Sequence, residues 1–353
     1  MKTGRTISEL AQEIQRQTET KRDFIAPGKS LSMSVINSDG IKLSMAGREE
    51  MGMTDNFHDQ MASTLAIPKT YYERLRTKAP ELLAENVNHW LPEQGKRMIR
   101  TLDGKARAFL SDRYRPLDHY ELMEAVLPSI LNADCRIESC EVTDRKLYLK
   151  AVSNRLEGEV NVGDIVQAGI MVSNSEIGLG SLSVQPLIFR LICKNGAIVS
   201  DLSVRKTHVG RNGFGELNQA IEFYRDDTKR ANDKAFFLQL RDTVAGILSE
   251  TRFLPLVTRM RAVHNNALPA ENIEPVLEEV TRRYSLLDSE RKSVMTHLVQ
   301  GGDLSQYGLM NAVTRAAQDV EEYDRATELE SVGGDILELT NGDWHKLAQF
   351  NRN

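Results

Sequence analysis

The chain reads as an α+β protein: a central, mostly antiparallel sheet built from hairpins, with helices before it and a long helical region after it. Three observations predict this. Residues 97–211 show period-two apolar alternation broken by the turn pairs Asp103-Gly104 and Asn195-Gly196. The flanking stretches place apolar residues at helical spacing. No internal repeat or low-complexity linker interrupts the sequence. We assign residues 1–215 to an α+β domain with a helical insertion at about 54–95, and residues 216–353 to a helical region packed on it or extending from it.

In chain order, Ile7, Leu10 and Ile14 predict a surface amphipathic helix from Ile7 to Phe24, ended by Pro27 and Gly28. Ser30 to Val35 and Ile41 to Met45 alternate on either side of a Gly-containing turn and predict a hairpin. Thr54 to Leu91 returns to helical spacing, with Met61, Leu65, Tyr71, Leu75, Leu82 and Leu83 as core positions and Pro68 and Pro80 as helix starts. The two short helices around Ala66 to Lys69 fit the outline of a helix-turn-helix, but no basic recognition helix follows. A helix begins near Asp118, whose carboxylate is placed to accept from the Glu121 amide, and Pro128 kinks or ends it. Strands then follow at Cys135 to Val142 and Leu147 to Val152, with a long extended stretch from Asp164 to Cys193. Beyond Phe214 the sequence is helical. Leu217, Ile221, Tyr224, Ala231, Ala235, Leu238, Ala245 and Leu248 trace one stripe, and Tyr307, Met310, Val313, Ala317 and Val320 another.

Composition narrows the function classes. With 353 residues, 41% hydrophobic and 27% charged, the chain is neither a disordered polyelectrolyte nor a membrane protein, and no apolar run approaches a membrane span. Its 45 basic and 50 acidic residues give a net charge of −5, which excludes a uniformly basic nucleic-acid coat but not a local basic face. No secretory apolar stretch follows Met1, so the reading is cytoplasmic. Cys135, Cys140 and Cys193 form no Cys-x-x-Cys pair and the seven histidines show no zinc-ligand spacing, so reduced thiols, no metal and no cofactor are expected. Cys135 and Cys140 lie on a strand as small buried hydrophobes.

The clearest chemical signal is a cationic hairpin. A two-residue turn at Asp103-Gly104 sets Leu102 opposite Lys105, Arg100 opposite Arg107 and Met98 opposite Phe109. Facing guanidiniums repel, so an anion is expected between them: a protein carboxylate or a phosphate. Lys96 to Arg115 holds seven basic and two acidic residues; a solvated face paired with acidic helices is the plain alternative. A second two-residue turn at Asn195-Gly196 sets Arg190 opposite Asp201 and gives it a structural role. Its strand then leaves as Arg205-Lys206-Thr207-His208-Val209-Gly210-Arg211, with no acidic residue, and would form a basic groove with the first hairpin if they share a sheet. Tyr114, between Arg113 and Arg115, either stacks on a base or fills the core. Glu176 to Ser181 contains Gly-x-Gly-Ser without the Lys-Ser/Thr of a phosphate loop and reads as a turn or bulge. Nothing nominates a general base. Residues 315–343 hold two basic and nine acidic side chains.

At Ala106-Arg-Ala-Phe-Leu-Ser-Asp-Arg-Tyr-Arg-Pro-Leu-Asp118, at Arg190-Leu-Ile-Cys-Lys-Asn-Gly196 followed by Lys206-Thr-His208, and at Gly308-Leu-Met-Asn-Ala-Val-Thr314, the chain resembles the phage/plasmid-like proteins grouped as domain of unknown function 932. The resemblance runs from Lys21-Arg-Asp-Phe24 to Glu330 to Gly334 and implies a mobile-element setting in a bacterial host, with no assigned activity. A strand-rich centre followed by a long helix is also similar in element order to single-strand annealing proteins, which hold the backbone in a basic groove and assemble into rings or filaments.

The resulting expectation is a non-enzymatic DNA-binding protein of a phage or plasmid, favouring single strands and forming homo-oligomers. Arg100, Lys105, Arg107, Arg113, Arg115, Arg205, Lys206 and Arg211 would neutralise phosphates, with Tyr114 and His208 beside them. The alternatives are an interaction protein whose basic strands are matched internally, or an enzyme with an unrecognised site.

Overall fold

The computed structural model describes residues 1–36, 40–200, 204–206 and 226–349, the last range beginning with backbone alone for 226–234. Helix α1 (Ile7–Thr20) opens with a reciprocal cap: Thr6 Oγ1 accepts from the Glu9 amide and the Glu9 carboxylate accepts from the Thr6 amide at 2.8 Å. It stops earlier than expected, because Arg22–Pro27 forms strand β1, antiparallel to β5 (Lys96–Leu102). Sheet pairing overrides the helical spacing there, and Phe24 lies opposite Ile99. Strands β2 (Leu31–Ile36) and β3 (Gly40–Met45) form the expected hairpin, with β4 (Met51–Gly52) beside it.

Helices α2 (Asp55–Thr64), α3 (Lys69–Lys78) and α4 (Pro80–Trp90) follow, with Pro68 as N-cap of α3 and Pro80 in the first turn of α4. Met61, Leu65, Leu75 and Leu83 are buried as predicted, but Tyr71 and Leu82 are exposed and Tyr72 takes the core position. Tyr72 is fixed there by a 2.8 Å hydrogen bond between its hydroxyl and His58 Nδ1. These helices and the two small sheets share one core; the second sheet has the order β1-β5-β6, β6 being Lys105–Ser111.

Helix α5 (His119–Asn132) runs through Pro128 to Asn132. Asp118 is its N-cap residue, but its carboxylate makes no cap hydrogen bond and is committed elsewhere, as described below. The large antiparallel sheet has the order β11-β10-β9-β8-β7, from β7 (Cys135–Val142), β8 (Leu147–Asn161), β9 (Asp164–Asn174), β10 (Leu182–Arg190) and β11 (Asn195–Ile198). The stretch expected as one extended run is thus two strands around a loop at 175–181. Strand β12 (Val204–Lys206) pairs with Leu182 to Val184 on the same edge of β10 that β11 covers at Leu187 to Arg190.

Period two divides the sheet's faces. Leu147, Leu149 and Ala151 pack with α1, α5 and α6 (Asp226–Ile247), while Tyr148 and Val152 face Tyr323. In α6 the buried stripe is Phe236, Leu240, Val244 and Ile247, while Ala235, Leu238 and Ala245 are exposed, so this part of the expected stripe is rotated on the helix; Leu217, Ile221 and Tyr224 lie outside the described residues. The larger apolar Phe236 outcompetes Ala235 for the core. Helices α7 (Glu250–His264), α8 (Ile273–Tyr284), α9 (Asp288–Gly301), α10 (Gln306–Ala316), α11 (Tyr323–Glu338) and α12 (Asn341–Ala348) complete the molecule. The α10 stripe Tyr307, Met310, Val313, Ala317 is buried as expected. The fold is α+β. Among the described residues no helix is long and apolar enough to cross a membrane.

Candidate anion-binding cleft

The cationic hairpin does not present its arginines to solvent. A bulge between Arg100 and Thr101 shifts the register, so Arg100 lies opposite Ala108 and Phe109 opposite Ile99; the facing pair Arg100 and Arg107 does not form. Arg100 is fully buried (0% exposed) and its fork is saturated: Nε donates to Asp23 at 2.9 Å, Nη2 to Asp118 at 2.7 Å and Nη1 to the Glu176 carbonyl at 2.8 Å. Arg107, also buried, donates to Glu176 Oε2 at 2.5 Å. Lys21 completes the seam at 2.7 Å from Asp118 and 3.1 Å from Glu176, which also accepts from the His119 amide at 2.8 Å. Three cations thus meet three carboxylates. This corrects the assignment of Arg100 and Arg107 to phosphate, because both guanidiniums are buried and already paired with native carboxylates.

Tyr114 is likewise a core residue, with its hydroxyl donating to the Ser175 carbonyl at 3.4 Å, rather than a stacking platform. Lys105 and Arg113 are exposed and Arg115 is half-buried. Arg205 and Lys206 lie on β12 opposite Ser183 and Leu182, known by backbone position alone; His208 and Arg211 lie outside the described residues. No shared groove with the hairpin is therefore described.

Sequence reasoning missed Glu176, which it treated only as part of a turn. One signal was present: Glu176 is the one acidic residue between Asp164 and Asp201. Burial works to raise its pKa, but the neighbouring cations and the His119 amide outweigh that and hold the carboxyl below its usual range. A second fully buried pair joins β8 to α11: Lys150 Nζ lies 2.6 Å from Glu330 and donates to Thr327 Oγ1 at 2.9 Å. In both arrangements the cations are buried against carboxylates, which gives them a structural role. Among the described residues no group of histidine, cysteine and carboxylate side chains is arranged to hold a metal.

A different place brings polar side chains to a cavity. Hairpin β10–β11 closes through Leu191 to Lys194, with Lys194 at φ +50°, and not through Asn195-Gly196, which already belong to β11. Arg190 therefore faces Asn195 across the strands, and its carboxylate partner is Asp164, gripped at 2.6 Å by Nε and 2.8 Å by Nη2. Asp201, its expected partner, lies outside the described residues. The Tyr307 hydroxyl donates to Asp164 Oδ2 at 2.8 Å and fixes the carboxylate that fixes the arginine. Among the described residues the third edge of the Arg190 fork, Nη1, meets only Cys193 Sγ, at 3.6 Å.

The hairpin loop is held against α10 by its own polar groups. Asn195 Nδ2 donates to Thr314 Oγ1 at 2.5 Å and to Asn311 Oδ1 at 3.2 Å; the Cys193 carbonyl accepts from Arg315 Nη1 at 2.6 Å and Gln318 Nε2 at 3.1 Å. Gly308 permits the approach of the preceding turn, since a Cβ there would stand 1.8 Å from the Asp303 carbonyl oxygen. Between hairpin loop, α9 and α10 lies a cavity of about 230 Å³ whose lining includes Arg190, Cys193, His297, Asp303, Asn311 and Arg315. His297 Nε2 is hydrogen-bonded to Asp319 at 2.7 Å, and Asp303 lies 3.2 Å from His264. Arg315 differs from its neighbours: among the described residues its guanidinium pairs with no carboxylate. The cleft thus offers a guanidinium with no carboxylate within ion-pairing distance, its charge felt by Asp319 beyond that distance, beside the edge of another that Asp164 leaves open.

Comparison with known proteins finds one family model, domain of unknown function (DUF932), matching residues 108–333. No curated protein and no solved structure matches. The matched span contains Arg190 to Gly196 and Gly308 to Thr314, which converge on the cleft, and begins just after Arg107.

Proposed function

Because this chain belongs to the family called domain of unknown function 932, whose description carries no activity, we propose from its own geometry that it is a non-enzymatic binding protein for a phosphate-bearing ligand, held in the cleft between the β10–β11 loop, α9 and α10. One observation carries the reading: Arg315 lines that cavity without a carboxylate partner, next to the outward edge of Arg190. A guanidinium that lacks an internal anion supplies charge-assisted hydrogen bonds to an external one. Nucleic acid, the class expected from the sequence, stays within the proposal as one source of the phosphate, as does a mobile-element setting. Its contacts would then be Arg315 and the cleft rather than the seam around Arg100.

The test is titration calorimetry with inorganic phosphate and with single-stranded oligonucleotide at low salt. We expect binding that weakens with salt and falls about tenfold in Arg315→Gln, the effect of removing a hydrogen bond to a charged group. A second reading, an interaction protein whose basic strands are neutralised internally, is favoured by the Glu176 seam and predicts no anion binding at any salt concentration.

A further inference from the structure

Resting on the anion-binding reading above, we infer that the cleft accepts a single terminal phosphoryl group, as in a sugar monophosphate or a phosphorylated strand end, and rejects a run of backbone phosphodiesters. Three features converge on this. The cavity, about 230 Å³, is smaller than the roughly 300–1,000 Å³ that encloses a drug-sized ligand, so it holds a phosphoryl group with little more than a sugar. Its available positive charge corresponds to one guanidinium: Arg190 is offset by the bidentate Asp164, whereas Arg315 has no carboxylate partner among the described residues. Its walls are also of mixed sign. Asp303 lines the same cavity, Asp319 sits on the His297 that lines it, and the exposed Glu321 and Glu322 follow Asp319 in sequence.

A strand threaded through the cleft would carry its next phosphate one nucleotide further along, within reach of those carboxylates. Like charges at that range in a partly enclosed site disfavour the second phosphate. A terminal monoester avoids the conflict. It enters from one side, its charge reaches Arg315 and Nη1 of Arg190, and the uncharged remainder of the ligand faces Asp303, where hydroxyl or amino donors are matched. Asp164 and Tyr307 act as positioning residues, holding the Arg190 fork so that only Nη1 is left to the ligand.

The deciding experiment measures affinities for ribose 5-phosphate and for one short oligothymidylate prepared with a 5′-phosphate or a 5′-hydroxyl, using the full chain, Arg315→Gln and Asp303→Asn. The phosphorylated strand is expected to bind at least about tenfold more tightly than the hydroxyl strand. Ribose 5-phosphate is expected to displace it, and Asp303→Asn to narrow the gap by admitting internal diesters. Equal affinity for both strands, with Arg315→Gln still weakening each, overturns the single-phosphate inference and leaves the anion site standing. Absence of binding by all three probes overturns both. Thermal melts of each variant establish that the fold is retained.

Discussion

A buried carboxylate is stable when both of its oxygens are hydrogen-bonded, and Glu176 meets that condition by accepting from Arg107 on one and from Lys21 and the His119 amide on the other. Removing its charge would deprive buried Arg107 of its carboxylate and leave Lys21 with Asp118 alone. Glu176→Gln is therefore expected to lower unfolding free energy by about 3–5 kcal/mol, the range for breaking a buried ion pair from one side, read as a drop in urea midpoint with little change in slope. A loss below about 1 kcal/mol would mean that the seam is open to water. The same residue shows how far the sequence could be read at this scale. The cationic hairpin, its Asp-Gly turn and its need for an anion were all legible; the identity of the anion was not, because Asp23 and Glu176 are brought to Arg100 and Arg107 from 77 and 69 residues away. Nor does any local signal announce the bulge at Arg100, which replaces a facing arginine with Ala108. Arg315 was overlooked for the converse reason: it sits in the last turn of an apolar helix and gains meaning only when the Cys193 carbonyl is folded onto it.

Among the elements, α11 illustrates how a helix reaches a sheet without intervening side chains. Gly334 and Gly333 lie side by side: a Cβ on Gly334 would stand 1.8 Å from the Ile198 carbonyl oxygen of β11, and one on Gly333 2.2 Å from Thr314 Cγ2 of α10. Alanine in a free helix would be favoured over glycine by about 1 kcal/mol. Here the contact at Gly334 is with backbone, which cannot rotate away, so Gly334→Ala is expected to be destabilising by roughly 1–3 kcal/mol despite its helix propensity. An unchanged or raised melting temperature would contradict the close packing of α11 on β11. Element type was readable wherever one face is apolar at a clean period, as in the β2–β3 hairpin and α10. It failed where pairing competes with spacing, as at Phe24, and where a turn pair exists but the turn does not use it. Asn195-Gly196 satisfies the hairpin signature, yet Asn195 is needed inside the ladder to grip Thr314 and Asn311, and the loop forms four residues earlier.

At the level of the whole molecule, two histidines tie folding to pH. His119, in the seam, and His58, in the N-terminal core, are each held near a pKa of about 4 against an ordinary 6.5; burial is the largest cause in both. A base with a depressed folded pKa binds fewer protons folded than unfolded between those two values, so stability falls as pH drops through that window. Each site contributes roughly 3 kcal/mol over the full interval, near 1.4 kcal/mol per pH unit and site at the steepest point. Glu176 extends the trend: its folded pKa lies below the ordinary 4.5, so its contribution is present above that value and is lost as pH falls further. The prediction is a steady decline in unfolding free energy from pH 6.5 to about 4, where the histidine contribution is exhausted and that of Glu176 carries the decline further. Urea unfolding at successive pH values measures it, and His119→Gln should reduce the slope in the upper window by about one proton. Stability that stays level between pH 7 and 5 would show that neither imidazole is held neutral by burial, and with it that water reaches the seam joining the N-terminal sheets to the central one.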